Sequence, residues 1–473
     1  MTRKPEITLE DRTIVQLAAT LRDGGTSAAA LADVAIAKHQ AGDATFAAYK
    51  TWDADRFRAE ADIADRALTA GIDLGPLQGI PISVKDLYGV RGYPTFAGSP
   101  RELPPEWRHE GPVIRALRGQ LAVFSGKTHT VQFAFGALGT NPHWGTPRNP
   151  WDAKHHRAPG GSSAGAGVSL WEGSALLALG TDTAGSVRMP ASMTGTVGIK
   201  TTQGRWSIEG ITPLSHTLDT PGVLARSVAD AALGFSVIDP EVSGDRDGFM
   251  AAVETADVGD FRIGLCETFF DACDPGVADG ARAALAELEA AGARITKVDI
   301  PDLDEVDKIF RTGGLSSFEF ASFIQDVLPD FLEDIDPMVG SRFDKMAALT
   351  AADYQGRLRR MAAVSKAAHA AMANLHAVVG PTVPITPPKV ADVQDPKAYM
   401  KANLMAARNT TVANLLAMSA VTIPVALDAA GMPVGLQINC AGGDDARAVA
   451  IARAFEKVLG TARQRLGVPP LSS

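Results

Sequence analysis

Residues 160–200 read GGSSAGAGVSLWEGSALLALGTDTAGSVRMPASMTGTVGIK, and glycine, alanine and serine dominate them. Small-residue turns alternate here with short apolar segments. This density lets elements pack with backbones close together and lets backbone N–H groups point into a cavity. At Gly160-Gly161-Ser162-Ser163-Ala164-Gly165, directly after Pro159, the serine hydroxyls suit the N-terminus of a helix, where backbone N–H groups lack partners. At 180–190, GTDTAGSVRMP, a glycine-rich turn precedes Ser186 and closes on Pro190. Such a turn can aim consecutive N–H groups at a developing oxyanion, as acyl transfer requires. It lacks the Lys-Ser/Thr ending of a phosphate-binding P-loop.

Outward from this stretch the chain alternates strands and helices. In LGPLQGIPISVKDLYGV (74–90), Ile80, Ile82 and Val84 alternate as a strand does and end at Lys85 and Asp86. A second apolar strand, 122–124, runs into Ser125, Gly126, Lys127 and Thr128. Residues 136–161 hold four prolines and few apolar runs, a loop long enough to need a function, here the wall of a site. Downstream, RIGLCETFF (262–270), RITKVDI (294–300), HAVVGPTVPI (376–385), SAVTIPVAL (419–427) and PVGLQINC (433–440) read as strands, with helical stretches such as 277–291 and 444–459 between them. The expected fold class is α/β: one large domain over 1–473 with a mixed, mostly parallel central sheet covered by helices. Two amphipathic helices are expected over about 8–41, with Ser27 as an N-cap, then a charged helical stretch over 54–70 and a helical insertion over about 303–374.

Composition narrows the function. With 46% apolar and 21% charged residues the chain has ample material for a core. Its net charge of -9 is scattered, with no basic stripe for a phosphate backbone, so nucleic acid is not expected as a ligand. Cys266, Cys273 and Cys440 form no CxxC pair, which fits neither a metal site nor a disulfide framework. The apolar stretch 164–179 is broken by Glu172 before it could span a bilayer, and the N-terminus has no apolar run after its basic residues. A cytoplasmic protein without a membrane partner is expected.

Taken singly, the candidate residues are ambiguous. A lone lysine such as Lys85 is usually a solvated charge. Ser163 lies at the centre of a G-x-S-x-G match to a nucleophile elbow, which would need His216, His369 or His376 as its base. Together, however, GIPISVKD around Lys85, APGGSSAG around Ser162 and GTDTAGSVRMPA around Ser186 resemble the amidase-signature family, whose members carry these three motifs in this order. GTNPHWGTPRNPWD, ITPLSHTLDTPGVLARSVADAA and GMPVGLQI extend the resemblance over nearly the whole chain.

The resemblance implies an amidohydrolase acting on an amide, anilide or carbamate, with Ser186 as nucleophile, Ser162 as bridging serine and Lys85 as base. It also implies a cis Gly161–Ser162 bond and an oxyanion hole from the N–H groups of Thr183, Ala184, Gly185 and Ser186. The family also contains ureide hydrolases and the amidotransferase subunit that generates ammonia from glutamine. Two positions depart from its commonest pattern: Ala184, where glycine is frequent, and Gln132, where glutamate is frequent. No cofactor or metal is implied. Phe96, Phe133, Phe135, Trp144, Trp151 and Ser163 are candidates to line the pocket of a small-molecule substrate. A homodimer is left open.

Overall fold

Each apolar run described above carries a row of backbone N–H and C=O groups that must find partners once buried, and neighbouring strands supply them. In the computed structural model eleven strands do so: β1 (Tyr49–Trp52), β2 (Pro81–Lys85), β3 (Val123–Thr128), β4 (Leu177–Asp182), β5 (Val197–Lys200), β6 (Thr220–Ala225), β7 (Arg262–Leu265), β8 (Arg294–Lys297), β9 (Ala377–Pro381), β10 (Ser419–Leu427) and β11 (Pro433–Cys440). They form one sheet in the order β1-β3-β2-β4-β6-β5-β10-β11-β9-β7-β8. The structure describes Leu9, residues 12–340 and residues 349–472.

The sheet is mixed and helix-covered, as expected, but not mostly parallel. Of its ten ladders, four (β2–β3, β2–β4, β7–β8, β7–β9) are parallel and the other six are antiparallel. The parallel pairs lie in two groups toward either side of the sheet. The reason sits in β6, TPGVLA, where Pro221 and Gly222 mask the strand signal, both residues being poor strand formers. This strand enters between β4 and β5 antiparallel to both. Further along, a short turn at 428–432 closes β10 and β11 into a hairpin, which imposes the antiparallel sense.

Helices span Ile14–Arg22 and Ala28–Phe46, the second capped by Ser27 Oγ, which accepts from Ala30 N at 3.1 Å. Residues 8, 10 and 11 of the expected N-terminal helices lie outside the described residues. The insertion carries helices Leu303–Arg311, Ser316–Val327 and Ala351–Ala371, with no strand among its described residues. Its portion at 341–348 lies outside the described residues. No helix among the described residues is long and apolar enough to cross a membrane.

A core of small side chains lies beneath the glycine-rich stretch: Ala166, Leu170, Ala178, Val187 and Ala191 pack between the helix Ala164–Glu172, β4 and the helix Arg188–Thr194. Gly167 permits this approach, since a Cβ there would stand 2.1 Å from Thr194 Oγ1. The packing holds the ends of three elements close together, and those ends carry the site.

Candidate active site

Alternation along β2 sends Ser83 and Lys85 to one face and Ile82 and Val84 to the other. The helix Ala164–Glu172 covers the first face, and its Ser169 Oγ lies 2.9 Å from Ser83 Oγ. The N-terminal approach to that helix therefore lies over the end of β2. β4 runs parallel beside β2, with Val84 opposite Leu179, so Thr181 comes level with the Lys85 side chain. Lys85 Nζ donates to Ser162 Oγ and to Thr181 Oγ1, each at 2.8 Å. Thr181 was not singled out from the sequence, although the motif GTDTAGS contains it. The Gly161–Ser162 peptide bond is cis.

Burial decides the protonation of Lys85. The residue is 0% exposed, and burial pushes its pKa down to about 7 against the opposing pull of Asp219 and Asp182. Asp219 is itself pushed up to about 6 by burial, and it accepts from Thr183 Oγ1 at 2.5 Å and from the backbone N–H groups of Leu214 and Ser215. Asp182 is also buried, which opposes its charge, but Arg188 holds its carboxyl well below the usual carboxylate range. Arg188 Nη2 and Asp182 Oδ1 are 3.0 Å apart, and Gln437 and Asn414 accept further guanidinium protons at 2.6 Å.

Asp182 also shapes the loop after β4. Its Oδ1 accepts from Gly185 N at 2.8 Å and its Oδ2 from Val187 N at 3.2 Å. Of the four N–H groups expected to form an oxyanion hole, that of Gly185 is thus already committed. Those of Thr183, Ala184 and Ser186 donate no hydrogen bond among the described residues. Gly185 has φ of +123°, a conformation open to glycine, and a Cβ there would meet Thr410 Oγ1 at 2.1 Å. Ala184 has no positive φ, and its carbonyl accepts from Thr410 Oγ1 at 2.7 Å, so alanine fits where glycine is the commoner residue. Ser186 is 4% exposed, and its Oγ makes no hydrogen bond among the described residues.

The elbow constellation does not assemble. Ser163 is fully buried with its hydroxyl against the backbone of Thr181. His369 bonds the carbonyl of Leu416, His376 accepts from Arg262 N, and His216 is exposed. No group of three His, Cys, Asp or Glu side chains among the described residues gathers where a metal could be held.

The other pocket candidates separate. Phe96 and Trp144 meet edge to face at 6.2 Å, with Lys50 Nζ 4.7 Å above each ring. Trp151 is core, packed on Trp171 and donating to Thr194 O. Phe133 is buried against Phe320 and Phe331 of the insertion. Beside it, Gln132 clasps the insertion at both ends of its amide, donating to Asp334 O and accepting from Asp336 N, each at 2.8 Å. Glutamate could accept there but not donate.

Phe135 lines a cavity of about 430 Å³ between the insertion and the helix Pro396–Ala407, together with Phe310, Arg311, Arg357, Asn403 and Leu404. The wall of this cavity is linked to the candidate site: Asn403 Oδ1 accepts from Ala137 N at 2.8 Å, and Ala137 O accepts from Gly161 N at 2.7 Å.

The family model described as Amidase matches residues 31–449. The chain is 46% identical to a 2-amino-5-chloromuconic acid deaminase from Comamonas testosteroni over 97% of this chain and 98% of that one. It is 30% identical to a glutamyl-tRNA(Gln) amidotransferase subunit from a Synechococcus strain over 94% and 96% of the two chains. A crystal structure of an amidase superposes with a TM-score of 0.84 at 30% identity, covering 95% of this chain and all of the other. The chain belongs to the amidase family, enzymes that hydrolyse carbon–nitrogen bonds.

Proposed function

We propose that this protein cleaves an amide-like bond of a small molecule through an acyl-enzyme on Ser186, with Ser162 and Lys85 as a proton relay. The observation that carries the reading is the 2.8 Å hydrogen bond from a fully buried Lys85 to Ser162 Oγ. A serine hydroxyl attacks only when its proton is removed, and a lysine can remove it only when neutral. Burial supports a substantial neutral population of Lys85 near pH 7.

In the relay, Ser186 turns its hydroxyl to Ser162, Ser162 accepts that proton and passes its own to Lys85, and Ser186 Oγ bonds to the substrate carbonyl carbon. The oxyanion is met by the N–H groups of Thr183, Ala184 and Ser186, fixed before substrate arrives by the Asp182–Arg188 pair beneath them. Collapse returns the proton along the relay to the leaving nitrogen, and water then releases the acyl group from Ser186.

A second reading is favoured by the relative at 46% identity, named as a deaminase of an amino-substituted unsaturated dicarboxylic acid. Here the carbon–nitrogen bond broken carries a free amino group and ammonia leaves. One experiment separates the possibilities. The purified chain is assayed for ammonia or amine release from an aryl amide, a carbamate, a ureide, glutamine and 2-amino-5-chloromuconic acid, and Ser186 is probed with a fluorophosphonate. Labelling at Ser186, lost in Ser186→Ala with the fold intact, is expected. Labelling at Ser163 would refute the assignment.

A further inference from the structure

Arg357 differs from its charged neighbours. It is 8% exposed, yet no carboxylate among the described residues lies within ion-pair distance of it. Arg360, one turn later, pairs with Glu305 at 3.0 Å, and Arg311 pairs with Asp307 at 2.6 Å. Asp353, one turn earlier, turns its carboxylate back onto Thr350 N and Oγ1. The hydrogen-bond partners of Arg357 are the carbonyls of Thr312 and Gly314, both accepting from Nη1. A buried guanidinium without an ion-pair partner is costly: burial and Arg360 work against its proton, and only the charge of Asp353, beyond ion-pair distance, favours it.

That side chain lines the 430 Å³ cavity, in which Arg311 is the other charged residue and no aspartate or glutamate stands among the described residues. The remaining walls are mixed, with Phe135, Phe310 and Leu404 beside Thr312, Ser316 and Ser317. The cavity is of the size that holds a small ligand. The helix that carries Arg357 is also braced toward the catalytic loop. Its Tyr354 donates to Glu319 Oε1 at 2.7 Å, Glu319 Oε2 accepts from Ser215 Oγ at 2.7 Å, and Ser215 N donates to Asp219, the partner of Thr183.

We propose that this cavity is an anion subsite of the enzyme, in which Arg357 pairs with a carboxylate on a short apolar chain whose other end presents the scissile carbon–nitrogen bond. The proposal rests on the reading of the chain as a hydrolase and deepens it: the substrate is an anionic amide or amino acid derivative, not a neutral one. Guanidinium pairs with carboxylate through two parallel N–H donors, and Arg357 keeps Nη2 and Nε without partners among the described residues for this.

The test compares the monoamide of adipic acid with its methyl ester, which differ in one charge. The wild-type kcat/KM should favour the acid, and Arg357→Met should lower it about 100-fold for the acid through KM while leaving the ester within about threefold. Arg357→Lys should recover part of the loss. Leu404→Glu, on a different helix, places a carboxylate in the cavity and should erase the acid preference in the same way. Binding of adipate to Ser186→Ala by calorimetry reads the subsite without catalysis. Arg357-dependent adipate binding with no turnover of any amide and no ammonia release from 2-amino-5-chloromuconic acid would uphold the subsite and refute the hydrolytic reading. Turnover with an acid-to-ester ratio unchanged in both Arg357→Met and Leu404→Glu would overturn the subsite and leave the hydrolytic reading standing.

Discussion

Replacing Lys85 by methionine should remove activity and yet stabilise the fold, with a gain that depends on pH. The unfolded chain keeps its lysine proton up to about 10.5, whereas the folded chain releases it above about 7. Between those values the unfolded state binds one more proton, so wild-type stability rises with pH at about 1.4 kcal/mol per unit. At and below pH 6 the burial of this side chain therefore costs the wild type roughly 5 kcal/mol, and by pH 9 about 2 kcal/mol. Methionine fills a similar volume without the charge but loses the hydrogen bonds to Ser162 and Thr181, worth together about 2 kcal/mol. Lys85→Met should thus be more stable than wild type by about 3 kcal/mol at pH 6, with the difference closing near pH 9. Urea unfolding of both proteins at pH 6, 7.5 and 9 measures it. A difference constant across that range would mean that Lys85 titrates alike in the folded and unfolded chain, and a lysine that stays protonated at neutral pH is no base.

Activity should follow the same group: kcat/KM for an uncharged amide is expected to rise through about pH 7 and level off above pH 8, and Asp219→Asn, by removing a charge that favours the protonated lysine, should move that rise to lower pH. Arg188→Met leaves Asp182 charged, buried and without its ion-pair partner, so a loss of about 3 to 5 kcal/mol in unfolding free energy is expected, read by urea titration at pH 7. Gln132→Glu keeps the bond from Asp336 N but loses the donation to Asp334 O and sets a charge beside two acidic residues. Protease cleavage in the insertion should quicken and the melting temperature fall by a few degrees; an unchanged cleavage rate and melting temperature would count against the docking role of Gln132.

Much of the candidate site was legible because its parts are local. Strand alternation up to Lys85, serines at a helix start and a glycine-rich turn at 183–186 are each written in a few consecutive residues, and their joint resemblance to one family supplied the order. The α/β class was legible from alternating strand and helix patterns for the same reason. Long-range pairing was not. Strand β6 hides behind Pro221 and Gly222, and its place between β4 and β5 depends on partners about 40 residues and about 20 residues earlier in the chain. The sheet's antiparallel centre followed from that pairing.

Tertiary structure likewise decided which polar groups are free and which are spent. Gly185 N–H belongs to Asp182 because the loop folds back over the end of β4, and Thr181 joins Lys85 because β2 and β4 run parallel in a particular register. Nothing around position 357 distinguishes its arginine from those at 359 and 360. Only the folded chain, in which three insertion helices and Pro396–Ala407 line one cavity, buries it there without an ion-pair partner among the described residues, since burial and the distance to a counter-charge are properties of the folded chain and not of any local stretch.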